Sequence, residues 1–517
     1  MFLPELIRSL EKGLPRVADA YFDPDRTCLP GTQRAVLDEI HAWSRAADGQ
    51  SIYWLRAEAG AGKSTISHTI AYQAAELGQL GACFFLRRDY AKTRDPRLII
   101  NTLAFHLAYF HPDIAAGIKT ALDKNPDLGS MDSIRIKFDR LILDPIAAVK
   151  TLVEPILLVI DDLDSLDTKD EDARSRRRDL LNYICHHHQK FPAVLKVVMT
   201  SRPEWDIIRA LKDVKPHVLQ HSSDDIARLA KKLLDEVAEA FTLQPPWPES
   251  AILDVLVRRS GDLFIWIKIA CQFIARRDPQ KRLKLVLDGH LSEGVGSQLD
   301  KLYRDALLNH AEKEGDDDER FYERFRQIIG CVAHLRNPLT PEAIDLVLEL
   351  SPDIQSRHTI MLFESFLLIT EEGAVRPIHP SFIDFLTDEE RCSNHLLFIG
   401  PEHGRNLAKR CLELMLTSLK RNVCDLDDPL IRNDARTKKK IPENLLYACQ
   451  FWADHLQVAL FNDKNFHVET FRLVEEFFFT KILFWLEVLS LAGLVDDAIP
   501  ALLAARTWVE VSTCCFH

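Results

Sequence analysis

The sequence predicts an α/β domain with a parallel sheet and helices on both faces, followed by helical, winged-helix-like and all-α C-terminal domains. Three observations support this prediction. Short apolar runs alternate with helical periodicity between residues 52 and 200, a pattern typical of a parallel sheet with both faces covered. Charged motifs follow several of these runs, where such sheets bind ligands. Beyond residue 224 the strand signals fade and helical periodicity dominates.

The first apolar run, Ile52-Tyr53-Trp54-Leu55, is followed by a loop of small residues and then by Ile66, Ile70 and Ala74 at helical spacing. This order is the context of a phosphate-binding loop, because backbone N–H groups and the helix dipole both attract an anion. The predicted nucleotide-binding residues of the loop are Ala59, Gly60, Ala61, Gly62, Lys63, Ser64 and Thr65.

Three residues of this loop have predicted roles. Lys63 is expected to reach the β- and γ-phosphates, Ser64 to ligate Mg²⁺ and Thr65 to bond the α-phosphate. Ala57 stands where the pattern G-x-x-x-x-G-K-[ST] has its first glycine. If that position needs a positive φ, alanine costs about 1 kcal/mol, and otherwise the change is nearly silent. An ordinary Gly- and Ala-rich turn before a helix is the alternative interpretation.

Helices and a second strand surround this loop in the sequence. Thr32 is predicted to cap a helix whose apolar face carries Val36 and Ile40. The apolar run at 81–86 predicts a buried strand, and Asp95-Pro96 predicts the start of the next helix.

The third apolar run, at 156–160, ends on Asp161-Asp162-Leu163-Asp164. Asp161 is suited to hold Mg²⁺ beside a triphosphate, and Asp164 is the candidate to orient the attacking water. Asp162 is expected to turn away, because it neighbours a residue that faces the site. A cluster of capping or loop acids is the alternative.

The fourth apolar run, at 195–200, leads into Ser201-Arg202-Pro203-Glu204. A guanidinium at Arg202 could contact the γ-phosphate and so respond to its presence. The alternative is a surface arginine that bonds the turn at Pro203.

The remaining chain is predicted to be helical, with an acidic gap at 312–320 and one short β pair at 365–378. The predicted domains are an N-terminal helix and linker at 1–27, a nucleotide-binding domain at 28–223, a helical domain at 224–320, a winged-helix-like domain at 321–392 and a C-terminal helical domain at 393–517.

Composition narrows the classes of partner. The net charge of −12 and the lack of an obvious basic face argue against nucleic acid as the main ligand. The arginine run at 176–178 and the lysine run at 438–440 favour solvated loops over binding patches.

Scattered cysteines without a C-x-x-C pair favour reduced thiols and a cytoplasmic location. No membrane span is predicted, because Lys481 and Glu487 interrupt the most apolar stretch, at 477–495, which favours a buried helix.

The order of these motifs resembles NACHT-type STAND NTPases. This likeness rests on the order Gly62-Lys63-Ser64-Thr65, then LLVIDDLD, then Thr200-Ser201-Arg202-Pro203-Glu204. Five segments are similar in sequence to the fungal branch with nephrocystin-like N-terminal domains, namely WLRAEAGAGKSTISHTIA, FFLRRD, GDLFIWIKIA, RPIHPSFIDFLTDEERC and IPENLLYACQFWADHL. The resemblance extends from about residue 28 to 500.

The resemblance implies a switch driven by ATP or GTP with Mg²⁺, in a fungal signalling or defence (self/non-self) system. It implies that ADP or GDP is held in a closed state, and that the triphosphate state opens and self-associates. A winged-helix histidine contacts the diphosphate in similar proteins, and His379 occupies that motif. From the residues alone, His379 is equally well explained as a capping histidine. The loop at 30–34 lies where the family places the base.

Departures from the family leave a second hypothesis open. The family's acidic pair is Asp-Glu, and here it is Asp164-Ser165, which puts fast ATP or GTP hydrolysis in doubt. A nucleotide-stabilised scaffold without turnover is therefore the alternative. The chain also lacks the family's usual effector domain and C-terminal repeats, so we expect either a truncated gene product or a protein partner of unknown kind. The long helical region and acidic charge argue against a metabolic kinase or a nucleic-acid motor.

Overall fold

The structure is a computed structural model that describes residues 3–46, 50–166, 171–219, 222–261, 263–276, 278–288, 298–311, 318–426, 440–458 and 464–514. The chain divides into two compact units, residues 1–289 and 290–517. The finer division into five domains stays a prediction. Most of the acidic gap at 312–320 and two of the lysines of the run at 438–440 lie outside the described residues.

The first unit is built on a five-stranded sheet with the order β2-β3-β4-β1-β5. The strands are β1 (Ile52–Arg56), β2 (Leu80–Phe85), β3 (Ile156–Asp161), β4 (Leu195–Ser201) and β5 (Pro216–Val218). All neighbouring strands are parallel, and β4 pairs with both β1 and β3. The carboxyl ends of β1, β3 and β4 therefore lie side by side at one edge.

Each central strand buries side chains on both faces of the sheet. In β1, Ile52 and Trp54 belong to one hydrophobic cluster, whereas Tyr53 and Leu55 belong to another on the opposite face. This follows from the two-residue side-chain period of a strand. The prediction of a parallel sheet with helices on both faces is confirmed.

The helices of the first unit are α1 (Leu3–Gly13), α2 (Arg34–Arg45), α3 (Lys63–Glu76), α4 (Pro96–Phe110), α5 (Pro112–Lys124), α6 (Ile134–Phe138), α7 (Asp144–Ala148), α8 (Glu171–His187), α9 (Trp205–Ala210), α10 (Ser223–Ala240), α11 (Ser250–Arg259), α12 (Phe264–Ile274) and α13 (Pro279–Asp288). Helices α2 and α3 cover one face of the sheet, and α1, α4, α5 and α8 contribute to the cluster on the other. Helix α4 starts as predicted, since the Asp95 carboxylate accepts a hydrogen bond from Arg97 N at 2.9 Å.

The linker expected before residue 28 packs in part against the sheet domain, because Leu14, Val17 and Ala20 are buried in the same core as α4, whereas residues 23–26 are exposed. One local prediction about this region is wrong. Thr32 does not cap α2, since its hydroxyl donates to Leu29 O and the N-cap position is Gln33, with φ 56°.

The arginine run at 176–178 is also not a solvated loop. It lies on α8, and Arg177 is 3% exposed. Its guanidinium forms ion pairs with Glu204 at 2.6 Å and Asp206 at 2.9 Å, and it donates to Leu166 O at 3.3 Å. Arg177 therefore fastens α8 to the chain that follows both β3 and β4.

The second unit contains α14 (Gln298–Ala311), α15 (Asp318–His334), α16 (Pro341–Leu348), α17 (Ser356–Leu362), β6 (Leu367–Ile369), β7 (Val375–Pro377), α18 (Pro380–Leu386), α19 (Glu402–Ser418), α20 (Glu443–Val458), α21 (Lys464–Thr480), α22 (Ile482–Ala492) and α23 (Ala498–Cys514). Strands β6 and β7 pair antiparallel after α15–α17, in agreement with the winged-helix-like order. The C-terminal region is helical, as predicted.

The most apolar stretch of the sequence is not one buried helix. Helix α21 ends at Thr480 and α22 begins at Ile482, and at this junction Phe479 is 83% and Leu483 is 73% exposed. None of the helices that the structure describes combines the length and the apolar character that crossing a membrane requires.

Candidate functional site

The candidate site lies where β1, β3 and β4 end. The loop after β1 leads into α3 at Lys63, Asp161 is the last residue of β3, and Arg202 follows β4 directly. Asp164 lies in the 3₁₀ turn Leu163–Ser165 after β3. The fold therefore brings these four predicted site residues to one edge of the sheet, while His379 belongs to the second unit.

The loop between β1 and α3 depends on glycine. Gly60 has φ 80° and Gly62 has φ 97°, a region that side chains disfavour. Gly62 is also the N-cap of α3, so no side chain caps this helix, and its first turn contains no acidic residue. The first backbone N–H groups of α3, around Ser64 and Thr65, can therefore serve an anionic ligand. Ala57 is not among the residues with positive φ, so its replacement of the first glycine costs little.

Lys63 lies folded against its own loop. Its ammonium donates to Ala57 O at 2.9 Å and to Glu58 O at 3.0 Å, and the residue is 6% exposed. Burial lowers the pKa of Lys63, whereas Asp164 and Asp162 act in the opposite direction. Lys63 is thus a buried cation whose charge is favoured by acids that follow β3.

Asp161 is held by hydroxyl groups. Its Oδ1 accepts hydrogen bonds from Ser67 of α3 at 2.7 Å and from Thr200 of β4 at 2.6 Å. These bonds fix the carboxylate between the two elements. Together with the Ser64 hydroxyl, it is an oxygen donor of the hard type that Mg²⁺ prefers.

Asp164 is the most strongly paired acid of the site. Its Oδ1 accepts from Arg202 N at 2.8 Å, and its Oδ2 lies 3.0 Å from Arg202 Nε and 2.8 Å from Arg88 Nη2. Burial would raise its pKa, but Arg88, Arg202 and Lys63 outweigh burial and lower it. Both oxygens are therefore engaged by protein cations and an amide.

Asp162 behaves differently from its neighbour. It has φ 66°, and its carboxylate accepts a hydrogen bond from the Ser165 hydroxyl. Burial, reinforced by Asp164 and Asp161, raises the pKa of Asp162 to about 7. Asp162 thus contributes to the electrostatics of the site.

Arg88 was not identified from the sequence, although it donates from Nε to Ser165 Oγ at 3.1 Å besides pairing with Asp164. The available signal was its position three residues after β2, because β2 pairs in parallel with β3. Residues that follow neighbouring parallel strands meet at the same edge of the sheet.

The loop at 30–34 borders the glycine loop before α3 and the start of α10. Gln33 N donates to Asp225 Oδ2 at 2.9 Å, which fastens this loop to the first turn of α10. Ile265 N of α12 donates to Gly60 O at 3.2 Å. Gln33 is 8% exposed, and its side-chain Nε2 is buried without a hydrogen-bond partner, 3.9 Å from where a Cβ on Gly62 would lie.

These observations fit a bound polyphosphate. The uncapped start of α3 and Lys63 offer backbone donors and a cation, and the buried amide of Gln33 offers a further donor beside Gly62. An unpaired buried donor costs about 1–3 kcal/mol, so a ligand acceptor at this position would stabilise the loop.

His379 has the contacts of a capping residue. Its Nδ1 accepts hydrogen bonds from Ser381 N at 3.2 Å and from Ser381 Oγ at 2.6 Å at the start of α18. The Ser381 hydroxyl is also 2.8 Å from Tyr303 Oη of α14. The contact of His379 with a diphosphate stays a prediction.

Comparison with known proteins identifies the relatives of this chain. Residues 31–202 match the family described as nephrocystin 3, N-terminal. The chain is 28% identical over 272 residues to vegetative incompatibility protein HET-E-1 of Podospora anserina, across 48% of this chain and 19% of that protein. The matched part thus spans about a fifth of that relative.

A solved structure also aligns along most of the chain. It is the Signal Transduction ATPase with Numerous Domains (STAND) protein with a tetratricopeptide repeat sensor from Pyrococcus horikoshii, with 14% identity, a TM-score of 0.41, and coverage of 97% of this chain and 65% of that chain. The family match and the fungal relative confirm the resemblance derived from the motifs. Residues 31–202 are therefore similar to the nephrocystin 3 N-terminal family, and the chain resembles fungal proteins of the NACHT and STAND type.

Proposed function

We propose that this protein is a switch that binds a nucleoside triphosphate, ATP or GTP, at the end of β1 and hydrolyses it slowly. One observation carries the proposal: Lys63, Asp161 and Arg202 converge on the sheet edge beside an uncapped glycine loop. The amides of residues 59–65 and the Lys63 ammonium would bind the phosphates, and Arg202 would contact the terminal one. Gln33 would donate to the nucleotide near Gly62.

The proposed metal ligands are Ser64 and Asp161. Mg²⁺, when bound, would neutralise phosphate charge and stabilise developing charge on the oxygens. Ser67 and Thr200 hold the Asp161 carboxylate in a fixed orientation, so little side-chain entropy would be lost on binding.

Slow turnover is supported by the state of Asp164. A carboxylate whose pKa is lowered by Arg88, Arg202 and Lys63 is a weak general base, and no glutamate follows it, because the next residue is Ser165. The same observation favours a second candidate, a nucleotide-stabilised scaffold without turnover.

The biological role in the proposal is signalling or self/non-self recognition in the cytoplasm, with self-association in the triphosphate state. The similarity to a vegetative incompatibility protein supports this role. Free thiols at all cysteines whose side chains the structure describes are compatible with a reducing compartment. A protein effector or a partner with repeats would receive the signal.

Nucleotide affinity tests the switch proposal. We expect micromolar or tighter binding of a fluorescent triphosphate to the wild-type chain and a loss of at least about a hundredfold in Lys63→Ala, since charged hydrogen bonds to phosphate are lost. Equal, negligible binding by both proteins would contradict the proposal.

Phosphate release separates the two candidates. We expect the wild type to release phosphate slowly over hours at saturating ATP or GTP, and Asp164→Asn to release none. Turnover that Asp164→Asn abolishes rejects the scaffold, whereas nucleotide binding without release above the Lys63→Ala background rejects the hydrolysing switch.

A further inference from the structure

The carboxylate of Asp164 occupies the centre of a group of cations. Its side chain is 0% exposed, and both Arg88 and Arg202 lie within 3.0 Å of its Oδ2. Burial lowers the pKa of Lys63, and the charge of Asp164 acts in the opposite direction. One internal anion is therefore paired with two arginines at the proposed phosphate site.

The two arginines are more accessible than the acid that they hold. The side chains of Arg88 and Arg202 are 26% and 20% exposed. An incoming anion can therefore reach both guanidinium groups from solvent while Asp164 stays buried. Phosphate oxygens and a carboxylate bind guanidinium by the same bidentate geometry, so the two anions compete for the same donors.

We propose that Asp164 is an internal counter-anion that holds Arg88 and Arg202 until a terminal phosphate takes them over, and that Arg88 is a second phosphate-responsive arginine. This inference rests on the proposed function and deepens it. A triphosphate carries a third phosphate group that would lie beside the two arginines. A diphosphate lacks this group. The site then discriminates the two nucleotides by exchange of ion pairs.

The contacts of Arg88 and Arg177 connect this exchange of ion pairs with other parts of the first unit. Arg88 also donates to Ser165 Oγ at 3.1 Å, so its departure removes one hydrogen bond from the turn after β3. Arg177 of α8 bonds Leu166 O in the same turn at 3.3 Å and pairs with Glu204 after β4 at 2.6 Å. The exchange would therefore alter the support of α8 as well as the phosphate site.

Substitution of Arg88, with its neighbour as a matched control, tests the proposal in the full chain. Arg87→Gln removes the same charge one residue away, where Arg87 pairs with Asp89 at 3.6 Å and lies over the Tyr90 ring. We expect Arg88→Gln to weaken binding of fluorescent ATP and GTP analogues about tenfold and of the matching diphosphates less than threefold. Arg87→Gln should leave the triphosphate-to-diphosphate affinity ratio within about twofold of wild type.

Asp164→Asn tests the counter-anion directly, because it keeps the shape of the side chain and removes its charge. We expect the variant to bind the triphosphate about tenfold more tightly than wild type. Inorganic pyrophosphate should also raise its melting temperature more than that of the wild type. If the variant folds only in pyrophosphate, that dependence supports the proposal.

Three outcomes overturn the inference. They are equal weakening of both nucleotides by Arg88→Gln, the same change in Arg87→Gln, and no gain in anion binding by Asp164→Asn. The failure of the proposed function looks different, since then the wild type and Lys63→Ala bind nucleotide equally poorly. The pyrophosphate measurement on Asp164→Asn still reports on the cation group in that case, and no added stabilisation overturns the inference.

Discussion

Buried charge distinguishes the two units of the molecule. The buried charged side chains of residues 1–289 include Lys63, Asp161, Asp164 and Arg177 at one sheet edge and the helix behind it, and also Lys137, Lys196 and Arg282 elsewhere. Both buried carboxylates among the described residues of this unit lie at that edge. Among the described residues of 290–517, Asp300 is the buried carboxylate, and the other buried polar side chains are hydroxyls, an amide and histidines. Burying a charge is costly unless it is paired, so the placement of both buried carboxylates at one edge supports the proposed polyphosphate site there.

Removal of one buried acid from each unit, Asp164 or Asp300, is the strongest test of this contrast in buried charge. Asp164 is paired with two arginines and an amide, whereas Asp300 pairs with Arg391 at 2.6 Å. We expect Asp164→Ala to lower the free energy of unfolding of the first unit by about 3–5 kcal/mol, because two partly exposed arginines and the buried Lys63 lose a nearby negative charge. Asp300→Ala should cost the second unit about 2 kcal/mol, since Arg391 is 30% exposed and can be hydrated.

Denaturant unfolding, monitored by hydrogen exchange of peptides from β3 and α14, measures the free energy of unfolding of each unit separately. A larger loss in Asp300→Ala than in Asp164→Ala would reverse the contrast.

The space beside one glycine in each unit gives a second comparison between the units. A Cβ on Gly129 would lie 1.9 Å from Gly13 O, a backbone atom at the end of α1. A Cβ on Gly330 of α15 would lie 2.6 Å from the His403 ring of α19. We expect Gly129→Ala to cost about 3 kcal/mol, because backbone must move. Gly330→Ala should cost about 1 kcal/mol, since the ring can shift and alanine favours the helix. Thermal unfolding of both variants decides, and equal costs would contradict this reading.

The sequence predicted those parts of the fold and site whose signals are local. Strands β3 and β4 were found because both faces are buried, so their apolar residues run without interruption. Strand β5 was missed, since it has three residues, begins with proline and is half-exposed. The partners of Asp164 could not be located by spacing, as Arg88 lies 76 residues away and meets it only through strand pairing.

Acidic pH should lower the free energy of unfolding of the first unit through protonation of His68 of α3. Its ring stacks on Phe85, and its Nδ1 accepts a hydrogen bond from Asp23 N at 2.9 Å. Burial, followed by the charge of Arg26, lowers the pKa of His68 to about 4, below 6.5 in the unfolded chain. The unfolded chain therefore binds the proton more readily, and the contribution of His68 is present above pH 6.5 and lost as pH falls toward 4.

Between pH 7 and pH 5 this histidine should account for a loss of about 2 kcal/mol in the free energy of unfolding. His68→Asn keeps an acceptor near the Nδ1 position and cannot titrate, so it should remove this part of the pH dependence. Denaturant unfolding at both pH values measures the difference. An unchanged pH dependence in the variant would show that His68 is not the group responsible.

The smallest expected effect concerns Gln33, where the two units offer a matched pair of glutamines. Gln33 has a buried, unpaired Nε2 beside Gly62, whereas Gln355 precedes α17 in the second unit with an exposed side chain. Gln33→Met has similar length and removes the unpaired donor, so the ligand-free protein should gain about 1 kcal/mol of stability. The same variant should bind nucleotide about tenfold more weakly, because the donor to the ligand is lost. Gln355→Met should change neither quantity. A Gln33→Met protein that is more stable but binds nucleotide as tightly as wild type would mean that the amide faces away from the ligand, and the contrast would then rest on the charged residues alone.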